Sequence, residues 1–272
     1  MIDLHCHMLP AIDDGAKDLD IALQMARIAV ADGITMTACT PHIFPGRFDN
    51  TVAGIREACQ QFQAELVAAG IPLQLTYGAD IQIAPDLTQK LLDGTLPTLH
   101  GSRYFLFEPP HQVSFPRLND MIEDALLAGF VPIITHPERL FYVETDYDKF
   151  VEAARGGAWI QLTGGSLLGH FGRRAKRVSK RFLKDGITHL LASDGHNLKK
   201  RTPELGKARD AAARFVGEEE ADRLVRERPA AVIANTAPED IPPPPKLGDN
   251  THEPTLKKRS WLGQLCNRYA RF

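Results

Sequence analysis

No stretch of these 272 residues approaches the ~20 consecutive apolar positions that a bilayer-spanning helix needs. The chain does not open with a charged segment followed by an apolar run, so no secretory leader is expected and the protein reads as cytoplasmic. Cysteine is scarce. Cys6, Cys39, Cys59 and Cys266 lack zinc-knuckle spacing, and in a reducing compartment they are expected to be free thiols. None is followed by arginine six positions on, which excludes the Cys-x5-Arg loop of thiol-dependent phosphatases. No Gly-x4-Gly-Lys-Ser/Thr segment occurs, which excludes a P-loop nucleotide site. A net charge of −2 gives no global attraction for nucleic acid. What remains is a globular chain, 43% hydrophobic, able to bury a sizeable core.

Within seven residues of its start the chain has Met1-Ile-Asp-Leu-His5-Cys6-His7, a strand-like run closing in His-x-His. Side chains at i and i+2 of a strand share a face, so both imidazoles can grip one ion while Cys6 faces away. Ligand-type residues then recur at the ends of further strand-like runs: His42 after Ile34 to Pro41, Asp80 after Leu73 to Ala79, and Glu108 after Arg103 to Phe107. His136 follows Phe130 to Thr135, and Asp194 and His196 follow Ile187 to Ser193. His5, His7, His42, His136 and His196, with Asp14, Asp80, Glu108 and Asp194, form the candidate metal set. Imidazole and carboxylate without thiolate suit manganese, iron or zinc, and manganese is the expected ion. His100, His111, His170, His189 and His252 are read as structural histidines, Asp13 as a loop cap and Asp3 as a structural contact.

Helical segments are expected over roughly 16–32, 50–69, 85–93, 117–128, 146–155, 172–185 and 203–216, several ending at Gly33, Gly70, Gly94, Gly129, Gly156 or Gly186. Strand and helix alternate about seven times, which implies a parallel sheet, better read as one closed α/β barrel over 1–240 than as two domains. Catalytic groups of such barrels sit at the C-terminal ends of the strands, where every candidate above falls. The helix over 172–185 carries Arg173, Arg174, Lys176, Arg177, Lys180, Arg181 and Lys184 on a broad face. That face is read first as solvated, with attraction of an acidic, tyrosine-rich peptide as the alternative. Residues 241–272 are expected to be a separate tail: prolines 242 to 245 as an extended spacer, then a terminal helix with Trp261, Leu265, Tyr269 and Phe272 on one face.

His5-x-His7, Asp13-Asp14-Gly15, Thr40-Pro41-His42, His136-Pro-Glu-Arg139 and Ser193-Asp-Gly-His-Asn197 together resemble the polymerase-and-histidinol-phosphatase (PHP) superfamily. More narrowly, with Gly165-Ser-Leu-Leu-Gly-His-Phe-Gly172 and Arg201, the chain is similar to the bacterial PHP-type tyrosine phosphatases encoded with capsule and exopolysaccharide genes. The resemblance covers residues 1 to about 237. It implies a distorted, TIM-like (β/α)7 barrel holding up to three divalent ions. His5, His7, Asp80 and Asp194 would hold the first, Asp80, Glu108 and His136 the second, and Asp14, His42 and His196 the third. Arg139 and Arg201 would bind the substrate phosphate, for which arginine's planar fork is suited. The family carries glutamate where this chain has Asp80, one methylene shorter.

The implied reaction is hydrolysis of phosphotyrosine by metal-activated water, without a covalent enzyme intermediate. The implied substrate is a membrane-associated bacterial tyrosine kinase controlling polysaccharide synthesis. A small-molecule phosphoesterase such as histidinol-phosphate phosphatase, or a non-catalytic metal-binding regulator of the kinase, are the alternatives. The sequence leaves open a homo-oligomer and contact of the tail with a membrane surface.

Overall fold

A computed structural model describes residues 1–248. Nine strands follow in chain order: β1 Ile2–Cys6, β2 Met36–Cys39, β3 His42–Ile43, β4 Gln74–Tyr77, β5 Asp80–Gln82, β6 Tyr104–Glu108, β7 Val131–Thr135, β8 Trp159–Thr163 and β9 Leu190–Ala192. Between and after them lie α1 Leu19–Ala31, α2 Val52–Ala68, α3 Leu87–Leu92, α4 Leu118–Leu127, α5 Tyr147–Arg155, α6 Gly164–Leu168, α7 Gly172–Lys184, α8 Gly206–Val216, α9 Glu218–Asp222 and α10 Arg228–Ile233. The seven expected helices are present with ends trimmed by up to three residues, and at α1 and α2 a side-chain cap sets the first turn. Asp18 accepts from the Ile21 N–H and Thr51 from the Gly54 N–H.

The strands are parallel throughout, in a three-stranded sheet ordered β1-β2-β4 and a six-stranded one ordered β3-β5-β6-β7-β8-β9. Two of the expected strands are therefore broken. β2 gives way to β3 at Thr40 and Pro41, where proline has no N–H to donate, and β4 to β5 at Gly78 and Ala79. A Cβ on Gly78 would stand 2.6 Å from the Leu99 side chain, so the second break admits only glycine without movement. His42 and Asp80 lie just past the two breaks and face each other in register. β1 also meets the far edge of the larger sheet, through a parallel bridge between Cys6 and Gly195 and bonds His7 N–H to Gly195 O and Asp194 N–H to His5 O, both 2.8 Å.

An apolar cluster of Leu4, Leu99, Tyr104, Val131, Trp159, Leu190, Val232 and Ile241 gathers mainly at the first residues of the strands, opposite the candidate site. The proline run differs from the expected free spacer. Ile241 is buried, Pro242 O accepts from Arg228 Nε at 2.9 Å, Lys246 N donates to Gly186 O at 3.0 Å, and Leu247 rests on the core. The carbonyl of Pro242 serves a buried guanidinium, which holds the start of the proline run against the domain. The tail helix expected over 257–272 lies outside the described residues. Among the described residues no helix is long and apolar enough to cross a membrane.

Candidate metal centre

The parallel strands deliver nine of the expected side chains to one region. His7, Asp14, His42 and His196 offer ligand atoms within 4.8 Å of one another, as do His5, His7 and Asp80, and also His42, Asp80 and Glu108. His136 Nε2 stands 3.7 Å from Asp80 Oδ2 and 3.8 Å from Glu108 Oε1. Asp194 Oδ1 is 3.5 Å from a ring nitrogen of each of His5, His7 and His196. The three expected groups of ligands are thus contiguous, and His7 reaches two of them.

Backbone and neighbours fix which nitrogen each ring presents. His7 Nδ1 lies 2.6 Å from Asp13 Oδ2, His5 Nδ1 lies 2.8 Å from Gln161 Oε1, and His196 Nδ1 lies 3.0 Å from the Asp194 carbonyl. Each partner atom can only accept, so each Nδ1 carries a proton and Nε2 is the nitrogen turned toward a cation. Asp13 does more than cap its loop: it also accepts from the Gly15 and His42 N–H groups. Gly15 is required there, because a Cβ would fall 2.0 Å from His7 O. Asp3 ties β1 to β9, accepting from Ser193 N at 3.0 Å and Ser193 Oγ at 2.5 Å. His136 and Asp194 both adopt left-handed backbone, φ 36° and 50°, a conformation that non-glycine residues hold at a cost and that recurs at functional sites.

The charges describe a place that wants cations. Burial opposes protonation of His5, yet Asp80 and Asp194 carry its pKa up to about 9. Burial and the neighbouring His196 push His7 down to about 3 despite Asp13, leaving it neutral. Burial alone would raise Asp80, but His5 and His136 hold it well below the usual carboxylate range. Glu108 is raised by burial and by the charge of Asp80. Asp80 Oδ2 and His196 Nε2 are buried without a hydrogen-bond partner. Orphaned acceptors and lone pairs converging on one point, without thiolate, fit divalent ions. The nearest thiol, Cys6, turns away to the Gly195 carbonyl at 3.5 Å, and burial pushes its pKa well up.

Arg139 and Arg201 both reach this region. Arg201 Nη2 meets Asp194 Oδ1 at 2.7 Å, and Arg139 Nη1 bonds Asp194 Oδ2. Their guanidiniums lie 4.4 and 5.8 Å from the centroid of the Phe171 ring. Arg139 is held by Arg174 of α7, which donates to the Arg139 carbonyl at 3.0 Å. Arg201 is presented by a turn in which Asn197 Oδ1 accepts from the N–H groups of Lys199, Lys200 and Arg201. One residue joins the cluster that the sequence reading set aside as structural. His111 stands with Glu108 and His136, ligand atoms within 4.8 Å. Its one sequence signal is the Glu108-Pro-Pro-His111 spacing, because His111 ends no strand.

The profile of a family described as capsular polysaccharide synthesis, CpsB/CapC, matches residues 1–234. Tyrosine-protein phosphatase YwqE of Bacillus subtilis is 38% identical over 201 residues, 74% of this chain and 79% of the relative. Tyrosine-protein phosphatase CpsB of Streptococcus agalactiae is 28% identical over 240 residues, 86% of this chain and 99% of the relative. A crystal structure from a study of YwqE from Bacillus subtilis and CpsB from Streptococcus pneumoniae, described as unique metal-dependent tyrosine phosphatases, superposes with a TM-score of 0.84 at 34% identity, covering 87% of this chain and 96% of that one. The lactonase Lmo2620 of Listeria monocytogenes, at 14% identity and a TM-score of 0.51 over 85% of this chain and 94% of that one, shares the fold alone.

Proposed function

From the premise that this chain belongs to the CpsB/CapC family, we propose that it is a metal-dependent protein tyrosine phosphatase of capsule or exopolysaccharide synthesis. The observation that carries this reading is the meeting of Arg139 and Arg201 with the histidine and carboxylate cluster at one buried carboxylate, Asp194. Two guanidiniums beside a cation-binding centre are what a phosphate dianion requires.

His5, His7, Asp80 and Asp194 would hold one ion, Asp80, Glu108 and His136 a second, and Asp14, His42 and His196 a third, with manganese the ion best suited. Bound ions supply Lewis acidity toward the phosphoryl group and acidify water to serve as nucleophile. Arg139 and Arg201 bind the phosphoryl oxygens, exchanging Asp194 for substrate and offsetting charge that grows in the transition state. Phe171 keeps both guanidiniums turned toward that charge. Gln161 and Asp13 fix the rings of His5 and His7, so no reorientation is needed when the centre fills. Tyrosine, with an unperturbed pKa of about 10, leaves with little acid assistance.

The contacts of Cys6 and Gly195 support closure of the strands into a distorted (β/α)7 barrel over residues 1–240. We further propose cytoplasmic residence and a membrane-associated tyrosine kinase as the physiological substrate, a reading supported by the named activity of the relatives. Purified, manganese-loaded protein assayed on a phosphotyrosine peptide and on histidinol phosphate tests the proposal. Turnover of the peptide, abolished by EDTA and untouched by iodoacetamide, is expected. Preference for histidinol phosphate would overturn the substrate, and survival of activity in EDTA would overturn the metal chemistry.

A further inference from the structure

Glu108 ends β6, and Pro109, Pro110 and His111 follow it directly. Proline fixes φ near −65°, so two in succession leave little freedom over where the next residue lands. It lands back over the strand end. His111 Nε2 is 3.5 Å from Glu108 Oε1, and the His111 ring centroid is 5.1 Å from that of His136. The Phe141 N–H donates to the His111 carbonyl at 3.0 Å, tying this turn to the loop that carries Arg139.

Two donors each about 2.1 Å from one ion stand about 3.0 Å apart at a right angle and about 3.4 Å apart at the tetrahedral angle. The separations from Glu108 Oε1, 3.5 Å to His111 and 3.8 Å to His136, come close to that range. The His111 side chain is 30% exposed and has room to close the difference by rotation. Asp80, by contrast, is fully buried, and its Oδ2 already stands 3.4, 3.5 and 3.7 Å from His5, His42 and His136. A carboxylate engaged inward on three sides leaves the outer side of the second position short of a donor.

We infer that His111 is a ligand of the second ion, completing with Glu108 and His136 a two-histidine, one-carboxylate face. This rests on the metal-centre reading above. Of Glu108, His111 and His136, His111 is the outermost donor, so it governs how firmly the second ion is kept and leaves the other two ions alone.

The test uses the full chain, stripped with chelator and titrated with cobalt(II) while its visible absorption is recorded, with metal content measured after desalting. Metal-free melting temperatures of wild type and variants serve as the folding control. His111→Ala is expected to hold one ion about 10- to 100-fold more weakly, with loss of part of the cobalt absorption and unchanged binding of the remaining ions. His111→Asp, which puts an oxygen donor in place of the nitrogen, is expected to recover part of the affinity. An alanine variant with the wild-type complement, affinity and spectrum would overturn the role of His111 while leaving the centre intact. A wild-type chain that takes up no cobalt would overturn the centre and this inference with it.

Discussion

Arg139 and Arg201 share Asp194, but they are held differently. Arg139 sits on Phe171 and is anchored from α7, whereas Arg201 hangs from a turn closed by Asn197. Arg139→Ala is expected to lower kcat/KM on a phosphotyrosine peptide by a factor on the order of 100 or more, with metal content unchanged. Wild-type kinetics in that variant would reassign the arginine to structure. Away from the centre, His189 stacks on Trp159, and its Nδ1 accepts from the Ile160 N–H at 3.1 Å. Burial, aided by Arg228, holds its pKa well below the ordinary value. The unfolded chain therefore takes the proton first, so this stability is complete above about pH 6.5 and is lost as pH falls below it. His189→Gln keeps an acceptor and cannot titrate. In metal-free protein its denaturation midpoint is expected to fall less than that of wild type between pH 6.5 and 5. At this scale the sequence revealed which side chains converge, because His-x-His and strand-end acids have a period. It concealed their supports: Gln161 lies 156 residues from the His5 it orients, and nothing local announces the left-handed backbone of His136 and Asp194.

Strand and helix alternate as their periodicities indicate, yet β8 escaped notice, since it ends in Thr163 and carries no ligand-type residue. Glycine marked most helix ends, and at α5 it marked the wrong one of two. Gly156 is an ordinary right-handed cap, and the positive φ of 111° belongs to Gly157. Gly157→Ala should therefore cost about 1–2 kcal/mol more stability than Gly156→Ala, read by chemical denaturation. Equal costs would show that the turn relaxes. The basic face of α7 is largely engaged within the chain. Arg177 pairs with Glu144 at 2.8 Å, Arg181 stacks 3.5 Å above the Tyr147 ring, and Lys180 and Lys184 lie over Phe215. Charge runs are visible in sequence, but the partners that occupy them come from other elements.

At the scale of the whole molecule, Arg228 ties together β9, α9 and the segment that follows the last helix. Its side chain is 1% exposed and meets Glu220 at 2.7 Å, the His189 carbonyl at 3.3 Å and the Pro242 carbonyl at 2.9 Å. Removing one partner of a buried ion pair is strongly destabilising. Ending the chain at Ile241 takes away the Pro242 carbonyl and the Leu247 contact, and is expected to cost roughly 1–3 kcal/mol. Ending it at Gly248 removes neither. Thermal melts of the two truncations should differ by several degrees, and identical melts would show that the segment contributes nothing. Turnover of a small aryl phosphate by the chain ending at Gly248 should match the full chain. That residues 241–247 pack on the domain was not legible in the sequence, because their partner Arg228 looks there like any surface arginine. The segment from Ile241 to Leu247 lies where the strands begin, whereas the metal centre lies where they end. The last described residues therefore sit at the back of the domain, on the face away from the catalytic mouth.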